Sequence, residues 1–386
     1  MSRKVTMIVD LQFGSTGKGL MAGHWAEQNH PDVVVNCNMP NAGHTYIDSK
    51  GQKMIFKVLP NGLVSPKLKY VLIGPGSVFS MERLQQEIEQ ALDLGYLGGA
   101  ELVIHPQAMV LRDSHRQTEQ ASLSGISSTM QGSAAAVIEK MMRTAKASTA
   151  ENVAKGLYDI EESSEPIEVP NWFGSAIAKD GEWETILLEA DKILAEGSQG
   201  HSLGINAGFY PYCTSRDCSP ARFLSDMGIP VGMLGRVIGT ARTYPIRVGN
   251  TPDGYSGDHY ADQTETSFEE IGQPDEFTTV TGRKRRIFTF SMQQLREAAF
   301  WCCPDEIFLN FVNYLDDGQA VVDLTNQIQD GLGVPVSYFG TGPAFGDVLR
   351  DVRFVGAKLT QDRVRAEQDN ALAERLDGAL ETGLGE

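Results

Sequence analysis

A lysine inside a glycine-rich turn is the feature of this 386-residue chain best suited to chemistry. Val5-Thr-Met-Ile-Val-Asp-Leu-Gln-Phe-Gly-Ser-Thr-Gly-Lys-Gly-Leu20 reads as an apolar strand, a turn and a helix start. Glycine permits positive φ and close backbone approach, so amide N–H groups around Gly14, Thr16, Gly17 and Gly19 can converge on phosphate oxygens. Lys18 would neutralise a β- or γ-phosphate there. The strict G-x-x-x-x-G-K-[ST] signature fails at Gln12 and Gly19, which leaves an ordinary strand-to-helix turn as the competing reading. A second polar loop follows Val33-Val-Val35 and carries Asn41, Gly43, His44 and Thr45. A lone histidine is usually a surface or satisfied core residue, and His44 rises above that only through its loop. Gly282-Arg-Lys-Arg-Arg286 would ordinarily be a solvated basic turn or a nucleic-acid patch. With 50 acidic against 33 basic residues and a net charge of -17, the chain as a whole repels polyanions. The cluster therefore suits a small anionic ligand, and no nucleic-acid partner is expected.

The order of the motifs carries a resemblance. Gly14-Ser-Thr-Gly-Lys-Gly19 and Asn41-Ala-Gly-His-Thr45 are similar to the G-D-E-G-K-G and G-H-N-A-G-H-T loops of the adenylosuccinate synthetases. Ser128-Thr129 with Gly132 and Arg143, Glu196-Gly-Ser-Gln-Gly200 and Tyr210-Pro-Tyr-Cys-Thr-Ser215 continue the likeness in family order. Arg247-Val-Gly249, Thr281-Gly-Arg-Lys-Arg-Arg286 and Gly340-Thr-Gly-Pro343 complete it. The resemblance implies an α/β fold and a ligase that phosphorylates the six-oxygen of a purine nucleotide, then displaces that phosphate with the amino group of L-aspartate. It implies that Lys18 and His44 stabilise the transferring phosphoryl group, as positioning and charge dominate such transfers. On the same grounds Gly14, Thr16, Gly17, Gly19, Gly43, Thr45, Arg285, Asn313, Gly340, Thr341, Gly342 and Pro343 hold the phosphate donor. Asn41, Ser128, Thr129, Gln199 and Thr214 hold the acceptor nucleotide, although each could simply cap a loop. Arg143 matches an arginine delivered from a neighbouring subunit, which implies a homodimer. Thr279, Val280, Thr281 and Arg283 match the aspartate loop, where a planar guanidinium suits a carboxylate. Mg²⁺ would bridge the phosphates, with Gly43 and Ser15 at its protein side.

Two departures bear on substrate. Ser15 stands where the family has the aspartate that removes the N1 proton of hypoxanthine and binds the metal. A serine hydroxyl is a poor base at neutral pH. The enzyme could be dead, could recruit a carboxylate or water from elsewhere, or could act on a base that needs a different group beside C2 and N1. The third is favoured, since a small neutral hydroxyl leaves room for an exocyclic amino group at C2. That points to guanine. The substitution resembles a bacteriophage offshoot of the family that acts on dGMP on the way to 2,6-diaminopurine nucleotides. The second departure is Asn310-Phe-Val-Asn313, where the cellular family reads the guanine of GTP with a T-K-x-D segment. Losing that carboxylate removes the main guanine discriminator, so ATP or dATP is the expected donor. An adenylosuccinate synthetase acting on IMP and a catalytically silent nucleotide-binding protein are the alternatives.

The elements that must position these residues alternate. Apolar runs at Val5–Val9, Val33–Val35, Tyr70–Ile73, Leu102–Ile104, Lys192–Ala195, Val237–Thr240 and Glu306–Phe311 read as strands. Helical patterns lie between them, such as Ser80–Leu94 and Ser133–Lys146. The pattern predicts a mainly parallel central sheet with ligand loops at the strands' C-terminal ends. One elaborated α/β domain is expected over 1–360, with a charged, helical tail over 361–386. No apolar run reaches about 18 residues, so no membrane span is expected. Five cysteines without a C-x-x-C pair suit reduced thiols in a cytoplasm.

Overall fold

Continuous apolar runs become strands buried on both faces, as a parallel sheet covered by helices demands. The computed structural model describes residues 2–41, 43–159, 166–278 and 282–362. Nine strands form its main sheet: β1 (Val5–Asp10), β2 (Val33–Asn36), β3 (Tyr70–Ile73), β4 (Glu101–Ile104), β5 (Ile193–Glu196), β6 (Leu234–Arg242), β7 (Glu306–Asn310), β8 (Val336–Gly340) and β9 (Val348–Leu349). Their spatial order is β9-β8-β7-β6-β1-β5-β2-β3-β4. Every pairing is parallel except the last, where β9 closes the edge antiparallel to β8. All seven expected strands lie in this sheet. All six residues of β1 are buried.

The chain leaves β1 toward β2 on one side and later crosses to β6 on the other. The C-terminal end of β1 is therefore flanked by loops that diverge, which is where open α/β sheets place ligands. The glycine turn after β1 leads into helix α1 (Lys18–Asn29), whose first nine residues are all buried. Two glycines let a hairpin, His44–Ile47 with Lys53–Phe56, lie against this helix. A Cβ on Gly23 would sit 2.4 Å from the ring of Tyr46, and one on Gly19 would sit 2.7 Å from Cβ of His44. Bare backbone on α1 thus sets the depth at which His44 enters the site.

Helix α2 (Met81–Asp93) has Ser80 as its N-cap, accepting from the amide of Arg83, and matches its expected span closely. Helices α3 (Asp113–Ser122) and α4 (Ser133–Met142) pack together. Helix α4 stops at Met142, short of the expected Lys146, because Arg143 turns left-handed with φ 57°. The run expected as strand to Phe311 likewise ends at Asn310, since Phe311 has φ 58°. Strands β8 and β9 were outside the expected set. The mixed run Val-Ser-Tyr-Phe-Gly gives little strand signal by itself and is fixed by pairing with β7. The last helical segment covers 352–362, running past the expected boundary at 360, and the rest of the expected tail lies outside the described residues. No helix among the described residues is long and apolar enough to cross a membrane. All five cysteines are free thiols.

Candidate active site

The loop after β1 is built around one buried carboxylate. Asp10 Oδ1 accepts from the amides of Gln12 (2.8 Å) and Gly14 (3.3 Å). Its Oδ2 accepts from Thr16 Oγ1 (2.6 Å) and Lys18 Nζ (3.0 Å). Gly14, Ser15 and Gly17 are all left-handed, at φ 93°, 57° and 91°, a kind of turn that can curl successive amides into an anion-binding concavity. Lys18 and Asp10 are 4% and 0% exposed, so the lysine's charge is balanced inside the protein. Ser15, in contrast, is exposed in the cavity wall. Thr16 is not: its hydroxyl is spent on Asp10 and on Thr240, 2.5 Å away.

Asn310, at the end of β7, wedges this loop from behind, donating to the carbonyl of Thr16 at 3.2 Å. Gly17 and Gly340 make room for it, since a Cβ on either would lie 2.1 or 2.0 Å from its amide. Gly340 and Thr341, expected at the donor, do not line the cavity; Thr341 Oγ1 donates to the carbonyl of Asp347 at 3.1 Å. Gly342 and Pro343 do line it.

His44 and Gly43 reach the same cavity from the second loop. Nδ1 of His44 lies 2.6 Å from Oε1 of Glu196 at the end of β5, with both groups buried. Glu196 is itself fixed by the amide of Asn61 at 2.9 Å. This leaves Nε2 of His44 for a ligand. On the acceptor side, Gln199 Nε2 donates to Asn41 Oδ1 at 2.6 Å, joining two expected contacts. Thr214 lines the cavity with its hydroxyl oxygen buried and without a hydrogen-bond partner, a state native proteins reserve for sites where a ligand or water completes the bond. Ser128 and Thr129 complete this wall.

Two expected arginines lie off the cavity. Arg143 is exposed beyond α4, next to exposed Ile138, Met141 and Met142. Arg283 spends Nη1 and Nη2 on the carbonyls of Ser127 (3.1 Å) and Ser128 (2.9 Å), bracing the acceptor wall rather than facing into it. Thr279, Val280 and Thr281 lie outside the described residues.

The cavity measures about 670 Å³, large enough for more than one small molecule. Its far end is walled by Glu276, Arg285, Phe311, Asn313 and Tyr314. Behind them Arg242, wholly buried at the end of β6, pairs with Glu276 and stacks its guanidinium 3.8 Å from the ring centre of Phe311. Burial pushes the Glu276 carboxyl up, but Arg242, the Tyr314 hydroxyl and Arg285 together outweigh that and hold it below the usual carboxylate range. Burial lowers the Arg285 guanidinium against the pull of nearby Glu276, whose own carboxylate is taken up by Arg242, so Arg285 is suited to an anion. Among the described residues two carboxylates line the cavity and both are engaged: Glu276 as above, and Glu119 with the amides of Gly132 and Ala134. Asp10, Glu196, Arg242 and Glu276 were not among the expected site residues.

No set of three or more His, Cys, Asp or Glu side chains among the described residues could hold a metal ion. Ser15 and Gly43 offer oxygen only. That donor set fits Mg²⁺ carried on nucleotide phosphates and water, as this cation dehydrates reluctantly.

A profile of the adenylosuccinate synthetase family matches residues 7–165 and 177–326. The chain belongs to the adenylosuccinate synthetase family. This synthetase is 49% identical over 354 residues to the N6-succino-2-amino-2'-deoxyadenylate synthase of Vibrio phage phiVC8, covering 90% of this chain and 98% of that one. It is 42% identical to the synthase of the same name from Acinetobacter phage SH-Ab 15497, covering 88% and 92%. Among solved structures, the succinoaminodeoxyadenylate synthetase of cyanophage S-2L, bound to dGMP and to dATP as energy donor, superposes with a TM-score of 0.83. That likeness has 35% identity and covers 94% of this chain and 99% of the other. The family read from the loops, and the offshoot suggested by Ser15, both hold. The synthetase is a carbon–nitrogen ligase that uses a nucleotide as phosphate donor.

Proposed function

We propose that this synthetase joins L-aspartate to C6 of dGMP, giving N6-succinyl-2-amino-2'-deoxyadenylate, with ATP or dATP as donor. The observation that carries the reading is the neutral hydroxyl of Ser15 in a cavity whose described carboxylates are both engaged. Such a wall accepts the N1 and 2-amino donors of guanine without a strong base aimed at them. The relatives that carry the 2-amino name, and the neighbour bound to dGMP, agree with it.

In this reading the turn at Gly14, Thr16, Gly17 and Gly19 receives the donor phosphates, with the amides of Thr16, Gly17 and Gly19 toward them and Gly43, Thr45, Gly342 and Pro343 around them. Lys18 exchanges Asp10 for a phosphate oxygen. His44 donates from Nε2 toward the moving phosphoryl group and the six-oxygen, while Glu196 holds its Nδ1. Ser15 and Gly43 would hold Mg²⁺ at its protein side, and the cation would supply charge withdrawal from the donor phosphates. The γ-phosphoryl group goes to O6, leaving the donor as a diphosphate, while the N1 proton passes to water; the aspartate amine then forms the C6–N bond and gives up its proton to water, and the C6–O bond breaks to release phosphate. Asn41, Ser128, Thr129, Gln199 and Thr214 hold the deoxynucleotide. Thr279, Val280, Thr281 and Arg283 form the aspartate loop, with Arg285 at the junction. Asn313 in place of a base-reading carboxylate favours adenine on the donor. Arg143, placed off its own cavity among exposed apolar side chains, supports a homodimer in which it serves the partner's site. Residues 1–360 act as one synthetase domain followed by a tail, in a host cytoplasm.

Phosphate release with Mg²⁺, aspartate and each of dGMP, GMP and IMP, with ATP, dATP or GTP as donor, tests the reading. Release with dGMP and an adenine donor, with a succinyl-adduct mass, is expected. Release with IMP alone returns the chain to the cellular activity, a clear preference for GTP refutes the donor assignment, and no release with any acceptor makes it a binding protein.

A further inference from the structure

Arg242 touches three parts of the cavity wall without lining the cavity itself. Its Nη1 donates to the carbonyl of Ser15 at 3.3 Å and to Glu276 Oε2 at 3.2 Å, and its Nη2 donates to Glu276 Oε1. Its guanidinium stacks on Phe311 and lies 5.8 Å from the ring centre of Tyr314, whose hydroxyl donates to Glu276 at 2.9 Å. Its backbone is clamped by the side-chain amide of Gln12, which accepts from the Arg242 amide at 2.9 Å and donates to its carbonyl at 3.2 Å. Arg242 is wholly buried.

The two residues this group braces, Ser15 and Phe311, are both left-handed without being glycine. Such a conformation is strained for a residue with a side chain and persists only where neighbours over-determine it. Phe311 is further held by Asn310 Oδ1 on its amide and Thr243 Oγ1 on its carbonyl, at 2.8 and 2.7 Å. One strained residue faces the acceptor and the other the donor base, and a single planar cation spans them. Lysine could not do this, since it lacks the flat face for Phe311 and the fork for Glu276.

We propose that Arg242 and Glu276 are a positioning pair that couples the two nucleotide subsites, so that a donor purine seated on Phe311 fixes the turn at Ser15 for the acceptor. The inference rests on the proposed assignment of those subsites. Coupling between ligands is reciprocal, so each nucleotide tightens the other by one common factor.

The test is a two-ligand binding cycle by calorimetry, with dGMP titrated in the presence and absence of a non-hydrolysable ATP analogue and then the reverse. In the unmodified protein we expect at least about fivefold mutual tightening. In Arg242→Met, Glu276→Gln and Tyr314→Phe the factor falls toward one, while binding of dGMP alone changes far less. Kinetically, the KM of each nucleotide loses its dependence on the other. Should Arg242→Met fail to fold, Glu276→Gln and Tyr314→Phe decide, as both keep the packed shape. Mutual tightening that persists in folded variants, or a loss of both separate affinities with the factor intact, overturns the pair's coupling role. So does an unmodified protein that turns over dGMP with no coupling at all. An unmodified protein that binds neither nucleotide refutes the subsite assignment itself.

Discussion

At Ser15 a neutral hydroxyl occupies a left-handed position in the phosphate turn, exposed to the cavity and braced from behind by Arg242. Ser15→Asp puts a carboxylate there, which would crowd the 2-amino group while restoring a base for N1. The expected result is a fall in kcat/KM for dGMP of at least about tenfold with IMP use unchanged or raised, read by phosphate release. Unchanged dGMP kinetics would count against the guanine reading. Glu196 acts one bond further out. Glu196→Gln keeps the size of the side chain but removes the charge beside His44 Nδ1, so kcat should fall on the order of 10²-fold with nucleotide KM values little altered. A variant with wild-type kcat would show that His44 works without that charge. The sequence shows the importance of Ser15 because a motif surrounds it. Glu196 sits inside a quoted motif, yet its role depends on a histidine far away in the chain. Arg242 and Glu276 belong to no local pattern, and only the fold makes them neighbours.

At the scale of elements, β1, its turn and α1 behave as a unit tied by Asp10. Four donors converge on its carboxylate, one of them the buried Lys18. Asp10→Asn would leave that lysine buried without a counter-charge, which costs about 3–5 kcal/mol. An unfolding free energy, measured by denaturant titration, lowered by less than about 1 kcal/mol, the scale of an exposed pair, would show that Lys18 finds another partner. The central strands are legible as runs such as Val33-Val-Val35 because burial on both faces leaves no polar alternation to obscure them. The edge strands β8 and β9 are not, because pairing rather than local preference makes them strands. Element ends were misread at Phe311 and Arg143 for one reason: non-glycine residues turn left-handed there under tertiary constraint, which no local signal announces.

The whole molecule carries an exposed apolar surface on α4 beside Arg143, and the dimer proposal belongs at this scale. Arg143→Ala and Lys18→Ala should each be nearly inactive alone. Unfolded together and refolded at equal amounts, they should recover about a quarter of the wild-type activity, because half of the dimers are mixed and one of their two sites is intact. No recovery on mixing would place Arg143 outside the partner's site. Its role is legible only by resemblance, as nothing in one chain shows where an exposed arginine goes. The internal pairing of Lys18 with Asp10 has a consequence for this acidic enzyme as a catalyst in a phosphate-rich medium. Neither the protein's overall charge of -17 nor its cradle attracts anions indiscriminately. A ligand must bring several negative charges at once to draw the lysine off its carboxylate, which a triphosphate tail does and orthophosphate does poorly. On the proposed reaction the turn is then expected to screen by charge number, and the phosphate released is expected to inhibit weakly, which product-inhibition kinetics would check.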